Sequence, residues 1–434
     1  MSIKKIITLA ALCVAASFVL RSQEPIPVNY DEEKVGPYTL EDPLVFVDGH
    51  KVRKKADWPA RRKEILDIFQ REMYGQLPPA PDTLVLETID EGLSLAGHAK
   101  RRQVKMSFRA DGSGPSFHWL ILTPEYRKGP YPVIMLLNYE GNHTVIPDTE
   151  VVIPDITLGL VNDSPASVVP RGTLSNPSSA SILPVNMLLA RGYAVVTACY
   201  EEISPDPHPD KGREGQDREA YTRIFDLWGP RDPSRDDNTS SLMAWAWGLM
   251  RGMDLVCREP DLDASRVLLM GYSRLGKAAM LAGAYDERFA AVVLNQTGGG
   301  GAPLTKRCFG ENVATEVASY SHWYSRSYDK YAGKEQSMPF DQHLLLACIA
   351  PRPLMVQGFD ELWFDTRGEF LALKAASPVW KFLGYGGLPD VEWPGDYERS
   401  AIGPRLAYYH RPLGHGIAAI DWEWMLGFAG PYLR

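Results

Sequence analysis

Ser273 lies in a Gly-x-Ser-x-Gly sequence, and its surroundings indicate catalysis. An apolar run, 267–270, precedes the motif, and a helix-forming segment, 277–284, follows it. This order of strand, sharp turn and helix is the setting of a nucleophile elbow, in which the glycines let the backbone pass closely and the helix N-terminus lies beneath the hydroxyl. The motif predicts that Ser273 is a nucleophile, with a structural turn serine as the alternative.

A nucleophilic serine needs a histidine base. The histidines that follow Ser273 are His322, His343, His410 and His415. His415 lies between two glycines just before the last predicted helix, where this base is usually found. We therefore predict His415 as the base. His410, at the end of a predicted strand, is the second choice, and His343 is expected to begin a helix and pack structurally.

The acid that orients the base is expected in the loop after the apolar run 353–356. Asp360, Glu361 and Asp365 all qualify from the residues alone. Each could instead be a solvated charge or a helix cap, and Asp365, just before a predicted helix, looks most like a cap.

An oxyanion formed at Ser273 needs hydrogen-bond donors. The backbone N–H of Arg274 is the expected first donor, and the loop 139–143 is a candidate for the second. The Arg274 side chain also places a fixed positive charge beside the nucleophile. It could stabilise the oxyanion directly or hold a negatively charged substrate.

These residues need a scaffold, and the hydrophobic pattern predicts one. Short alternating segments predict antiparallel strands near 83–88, 101–108 and 117–123. Continuously apolar runs predict strands buried on both faces at 132–138, 193–199, 267–270, 291–294 and 353–356. Helical segments separate them at about 182–191, 240–257, 277–284 and 367–376. The alternation predicts an α/β-hydrolase fold, a mainly parallel three-layer sandwich with an antiparallel N-terminal portion. Two long loop insertions, 139–181 and 200–238, are expected to lie over the active site.

The N-terminus predicts export. Lys4 and Lys5 precede an apolar run, 6–20, so residues 1–22 are predicted to be a signal peptide, with a membrane anchor as the alternative. We expect a periplasmic or secreted protein whose remainder, 23–434, is a single catalytic domain. No other segment approaches the ~20 apolar residues of a membrane span.

Composition argues against several other functions. The net charge is −8 and the basic residues are scattered, so nucleic acid is not an expected partner. The cysteines beyond the leader lack zinc-binding spacing, so no metal is expected. They permit disulfides without showing them: Cys199, Cys257, Cys308 and Cys348.

The segment Gly271-Tyr-Ser-Arg-Leu-Gly-Lys277 resembles the Gly-Cys-Ser-Arg-x-Gly-Lys signature of the glucuronoyl esterases, carbohydrate esterase family 15. The likeness continues in Phe340-Asp-Gln-His-Leu, in Glu361-Leu-Trp363 and at His415, and covers most of the chain from about 130. It implies a serine esterase without a cofactor that cleaves the ester between 4-O-methyl-glucuronic acid on xylan and lignin alcohols.

The resemblance also implies roles for individual residues. Ser273 matches the nucleophile, His415 the base and Arg274 an oxyanion stabiliser that acts through its side chain. Substrate-binding roles are implied for three more residues: Lys277 and Glu311, which match contacts to the sugar, and Trp363, which would face it.

The sequence departs from the fungal members at two positions. Their triad acid corresponds to Gln296, which cannot hold a negative charge against an imidazolium. Some bacterial relatives place the acid before the tryptophan, and this resemblance assigns the role to Glu361 over Asp360. Tyr272 stands where the fungal members have a disulfide-forming cysteine.

The expected substrate is therefore a glucuronoyl ester of plant cell-wall glucuronoxylan and lignin, hydrolysed by a monomer. The alternatives are an acetyl-xylan or other carbohydrate esterase on the same scaffold and a non-catalytic carbohydrate-binding protein. Arg274 and Lys277 favour the uronate, because an acetyl group offers nothing for two cations to hold.

Overall fold

In a computed structural model, which describes residues 27–179, 181–394, 400–411 and 413–434, ten strands form one sheet in the order β1-β2-β3-β7-β4-β8-β9-β10-β12-β11. The strands are β1 Val85–Ser94, β2 Ala99–Ser107, β3 Ser116–Pro124, β4 Tyr131–Asn138, β5 Thr157–Leu158, β6 Ser164–Pro165, β7 Ala194–Cys199, β8 Leu262–Tyr272, β9 Ala291–Asn295, β10 Leu354–Phe359, β11 Ser400–Ile402 and β12 Leu406–Arg411. The short strands β5 and β6 pair only with each other. The predicted signal peptide lies outside the described residues.

The centre of the sheet is parallel and both of its ends are antiparallel. Strands β7, β4, β8, β9, β10 and β12 pair in parallel. Strands β1, β2 and β3 join this block through antiparallel pairs, and β11 closes the far edge antiparallel to β12. The prediction of a mainly parallel sheet with an antiparallel start is confirmed.

Helices cover both faces of the sheet. They are α1 Trp58–Phe69, α2 Val185–Ala190, α3 Tyr200–Ile203, α4 Gly212–Ala220, α5 Ser241–Val256, α6 Arg274–Tyr285, α7 Val313–Ser319, α8 Gln342–Ala347, α9 Thr366–Ala376, α10 Pro378–Leu383 and α11 Ala419–Ala429. Alternate side chains of β4 enter two separate cores: Val133 and Met135 pack with residues of α5 and α6, whereas Ile134 and Leu136 pack with residues of α2 and α11. This alternation produces the predicted three layers.

The second long loop is more ordered than its sequence suggested. It contains α3 and α4, and the prediction of a loop over 200–238 is wrong at those residues. Helix α4 has almost no apolar side chains, so it carries no hydrophobic periodicity that would reveal it. Its Arg213 forms paired hydrogen bonds with Asp329, a contact between distant parts of the chain.

The segment before α1 contains short helical turns and an isolated antiparallel bridge between Val45 and Lys51, and its Glu32 contacts Arg307. The four cysteines from Cys199 to Cys348 are free. Within the described ranges, no helix has both the length and the apolarity needed to cross a membrane, and no cluster of His, Cys, Asp and Glu side chains suits a metal ion.

Candidate active site

Ser273 occupies a sharp turn between β8 and α6. It has φ 54° and ψ −131°, in the left-handed half of backbone space, which non-glycine residues seldom adopt. Its N–H donates to the Asn295 carbonyl at 2.9 Å, and its own carbonyl accepts from the Gly276 N–H at 2.8 Å. A Cβ on Gly271 would lie 2.3 Å from the Leu275 carbonyl oxygen, so the turn requires glycine there. The order of strand, sharp turn and helix predicted around Ser273 is present.

Tyr139 lies under the elbow. The residue directly follows β4, and its hydroxyl donates to the Tyr272 carbonyl at 2.6 Å. Burial raises the pKa of Tyr139, while the cation of Arg274 and hydrogen bonding by the Ser273 side chain and the Leu275 backbone oppose the rise. The predicted loop after β4 thus reaches the elbow through a phenol hydroxyl.

Arg274 is held by a buried carboxylate, Asp206, which has no solvent exposure. Arg274 Nη1 and the Tyr200 hydroxyl donate to Asp206 Oδ2 at 2.6 and 2.9 Å. On the other oxygen, His322 Nε2 and Trp323 Nε1 lie 2.8 Å from Asp206 Oδ1. These contacts, with Arg274 the largest favourable one, hold the pKa of Asp206 far below its ordinary value despite burial. The carboxylate fixes the guanidinium beside Ser273.

Two stacked rings complete the Arg274 environment. Tyr320 and Trp323 lie 3.9 Å apart and almost parallel. The Arg274 guanidinium carbon lies 4.6 Å from the Trp323 ring centre and 5.1 Å from that of Tyr320. Lys277 Nζ lies 4.7 Å from the Trp323 ring centre. One indole therefore contacts both cations, and cation–π attraction helps to keep them there.

Lys277 lies close to Glu311, and Glu311 contacts the backbone of Trp363. Lys277 is 2% exposed, and burial lowers its pKa, while the carboxylates of Glu311 and Glu316 oppose the shift. The Glu311 N–H donates to the Trp363 carbonyl at 2.9 Å, and Glu311 Oε2 accepts from the Gly299 N–H at 2.7 Å. The Lys277 ammonium therefore lies within electrostatic reach of two carboxylates, and Trp363 is linked to this group through its backbone.

His415 is exposed to solvent, and its ring packs against Tyr272, the residue before Ser273. Its Nδ1 lies 2.8 Å from the Tyr272 hydroxyl, and the Tyr272 and His415 rings are stacked with centres 4.7 Å apart. Phe364 and Phe359 flank the imidazole with ring centres 4.9 and 5.5 Å away. Partial burial lowers the pKa of His415 to about 4. Nearby cations, of which Arg274 has the largest effect, add to this shift.

The three candidate acids differ in their surroundings. Asp365 is buried, caps α9 through the Gly368 N–H and pairs with Arg307, as a structural cap does. Asp360 and Glu361 are exposed. Over the described residues, His415 has no hydrogen bond to the Ser273 hydroxyl or the Glu361 carboxylate. Catalytic hydrogen bonds are often long before substrate binds.

The other histidines are built into the protein interior. His343 begins α8 as expected, is buried, and its Nε2 lies 2.7 Å from the Glu41 carbonyl oxygen. His322 is committed to Asp206, and His410 is buried at the end of β12. Of the four, His415 is the one that combines solvent access with a position beside the elbow.

Sequence reasoning missed Asp206, which holds Arg274 and lies in the second long loop; its only signal was an Asp among prolines. The loop 139–143 and the position of Gln296 were singled out, but their contacts were not: the Tyr139 hydroxyl donates to the elbow, and Gln296, directly after β9, contacts the segment that carries His415.

The chain is similar to known esterases in both sequence and structure. A model described as glucuronyl esterase of fungi matches residues 168–384. Carbohydrate esterase MZ0003, from an unknown prokaryotic organism, is 35% identical over 413 residues, which are 94% of this chain and 93% of that protein. The 4-O-methyl-glucuronoyl methylesterase of Cerrena unicolor is 27% identical over 410 residues, or 89% of this chain and 70% of that protein. The glucuronoyl esterase from Solibacter usitatus superposes with a TM-score of 0.84 at 34% identity, covering 93% of this chain and 100% of that chain.

Proposed function

The chain belongs to the glucuronoyl esterases of carbohydrate esterase family 15, and from this membership we propose that it hydrolyses the ester between (4-O-methyl-)glucuronic acid on glucuronoxylan and lignin alcohols. That it is a carboxylic ester hydrolase follows from the family. The main support for this substrate class is a pair of cations, Arg274 and Lys277. Both lie against the Trp323 indole beside Ser273. A uronoyl group brings polar oxygens to such a pair, whereas an acetyl group does not.

The proposed chemistry is acyl transfer in two steps. His415 takes the Ser273 proton as the serine oxygen attacks the uronoyl carbonyl, and a tetrahedral oxyanion forms. The intermediate collapses, the ester C–O bond breaks, and the lignin-side alcohol leaves with the proton from His415. Water then attacks the acyl-enzyme by the same route, which releases the uronate and restores Ser273.

Arg274 is the proposed oxyanion stabiliser. Its guanidinium is fixed in advance by Asp206 and by the Tyr320 and Trp323 rings, so no reorganisation is needed as charge develops. The neutral form of His415 is favoured by its lowered pKa, which keeps the base ready to accept a proton.

Glu361 is the proposed triad acid. Its loop is bounded by Phe359 and Phe364, and both of these rings contact His415. The loop therefore lies beside the imidazole, which supports Glu361 as the carboxylate that orients it. The cations that lower the pKa of His415 make a compensating carboxylate necessary when the imidazolium forms.

Lys277, Glu311 and Trp363 are the proposed sugar contacts. The buried ammonium and the Glu311 carboxylate can hydrogen-bond uronate hydroxyls, and the indole of Trp363 offers an apolar surface to the sugar ring. The leader predicted at 1–22 supports export, which would bring the enzyme to cell-wall material.

The proposed function can be tested with benzyl glucuronate and an aryl acetate, using wild type and Ser273→Ala. Ser265→Ala, at the other end of β8 on the surface, is the matched control. We expect turnover of the uronate by wild type and by the control, and its loss in Ser273→Ala. Turnover of acetate alone would retain the serine esterase and refute the uronate, whereas binding of glucuronoxylan without any turnover would indicate a binding protein.

A further inference from the structure

Gln296 is fully buried immediately after β9, with φ 51° in the left-handed region. Its backbone N–H donates to the Gln357 carbonyl in β10 at 2.8 Å. Its side chain points to the residue that follows the base: Nε2 donates to the Gly416 carbonyl at 2.6 Å, and the Gly416 N–H donates to Oε1 at 3.0 Å. One amide side chain thus pairs with both polar groups of one peptide residue.

A second side chain, Arg411, also holds the His415 segment. Arg411 Nη1 donates to the Gly414 and Gly416 carbonyls, and the Arg411 guanidinium pairs with Asp421 at 3.2 Å. Among the residues that the structure describes, the imidazole itself has one hydrogen-bonding partner, the Tyr272 hydroxyl. The direction in which His415 points therefore depends on how firmly its backbone is fixed.

A neutral side chain with both a donor and an acceptor suits the position of Gln296. The Gly416 carbonyl accepts from Gln296 as well as from Arg411, and the Gly416 N–H needs an acceptor, so an amide side chain pairs with both groups. An ionised carboxylate supplies acceptors alone, so one of its oxygens would face the Gly416 carbonyl without a hydrogen bond. Gln296 matches the position of the fungal triad acid, but its contacts are those of a backbone clamp, that is, a side chain that fixes the backbone at Gly416.

We propose that Gln296 is a positioning residue that holds the His415 backbone in register with Ser273, in place of a direct carboxylate contact from β9. The proposal rests on His415 acting as the base of the proposed function. It concerns activation of the serine and not the choice of substrate, so the two can fail separately.

The test measures the rate at which a fluorophosphonate labels Ser273, with mass spectrometry used to monitor the labelling. In this reaction the serine oxygen bonds to phosphorus, fluoride leaves, and His415 takes the serine proton. The rate depends on the serine and its base but needs no uronate. The variants are Gln296→Glu and Gln296→Met, which keep the length of the side chain, each measured at pH 8 and pH 5.

Gln103→Glu is the matched control. Gln103 is also buried, and its side chain also pairs with a carbonyl and an N–H, those of Glu150 and Val152, at 2.9 and 2.8 Å. It lies on β2, away from the elbow. We expect its labelling rate to stay within about threefold of wild type, normalised to the folded fraction, because changes in stability alone do not alter the base.

Gln296→Glu is expected to be labelled at least about tenfold more slowly than wild type at pH 8, and the ratio to wild type should recover at pH 5. A protonated carboxyl has one O–H donor and an acceptor, so it can satisfy Gly416 as the amide does. The charged groups nearest the position are Arg411, His415 and Asp421, together with Glu369, which accepts from Thr297. Gln296→Met, which cannot donate at any pH, should keep the same deficit at both.

Several results would overturn the proposal. Labelling of Gln296→Glu at or above the wild-type rate at pH 8 would mean that a carboxylate there serves as the triad acid. If Gln296→Met is labelled at the wild-type rate, the role of Gln296 is purely structural. The same holds if the slower labelling of Gln296→Glu does not change with pH. A wild type that is not labelled at all would refute the clamp and the serine esterase together, whereas labelling without uronate turnover refutes only the substrate.

Discussion

Replacing Asp206 by asparagine is expected to slow ester hydrolysis, because its two oxygens serve two separate pairs of donors. One oxygen accepts from Arg274 and Tyr200, and the other from His322 and Trp323. Asparagine keeps one acceptor and turns the other into a donor. In either orientation of the asparagine amide, its NH2 group faces two of these four donors, which then lack an acceptor. The Arg274 guanidinium also loses its counter-ion.

The size of the effect follows from the proposed role of Arg274. Loss of one oxyanion donor lowers kcat by about 100- to 1,000-fold in a serine hydrolase. Arg274 would keep its contacts with the Tyr320 and Trp323 rings, so Asp206→Asn should displace the guanidinium only partly. We expect kcat for benzyl glucuronate to fall about 10- to 100-fold, or ~1.4–2.7 kcal/mol of transition-state stabilisation, with a smaller change in KM.

A double-mutant cycle separates this role from general damage. If Asp206 acts through Arg274, then Asp206→Asn in an Arg274→Ala background should cause almost no further loss of kcat. Asp341→Asn is the control: this carboxylate is also fully buried, but it accepts from backbone N–H groups around Lys306 and Gln342. It should lower the melting temperature and leave kcat close to wild type. Multiplicative losses in the double variant would refute the reasoning.

Further expectations concern the base, the acid and the sugar site. Glu361→Gln should lower kcat by at least about tenfold while Asp360→Asn changes it little, and equal modest effects in steady-state assays would mean that the acid is misassigned. Since the neutral form of His415 is the base, kcat/KM should be maintained from pH 8 down to about 5 and lost as the pH falls through about 4; a limb near 6.5 would contradict the lowered pKa of His415. Lys277→Ala should raise KM for the uronate and leave that for an aryl acetate unchanged, whereas a loss confined to kcat would argue against a binding role.

The parts of the fold that carry a strong local pattern could be predicted from the sequence. The apolar run before Ser273 and the helix after it define β8 and α6, because the alternation of buried strand, glycine turn and helix is local. The predicted strand at 132–138 is likewise β4. The ends were less accurate: β8 begins at Leu262, five residues earlier than the apolar run, in a segment that contains Asp263 and Arg266.

Contacts between distant segments could not be predicted in the same way. Asp206 and Arg274 are 68 residues apart, and neither position indicates that the other neutralises it. Gln296 and Gly416 are separated by 120 residues, and the sequence shows only that an acid is absent. The loop after β10 was predicted to hold the acid, and the resemblance to bacterial relatives favoured Glu361 over Asp360. Glu361 stays a prediction, because within the described residues no hydrogen bond joins its carboxylate to His415.

The strained backbone of Ser273 influences which substitutions selection would favour at this position. A non-glycine residue held at a positive φ raises the free energy of the folded state by about 1–3 kcal/mol, and here neighbouring hydrogen bonds to Asn295 and Gly276 sustain it. Glycine at this position would relieve the strain and remove the nucleophile in one step. Selection for stability and selection for turnover therefore favour different residues at this position. A screen for thermostable variants that does not also measure activity would enrich an inactive protein with glycine here.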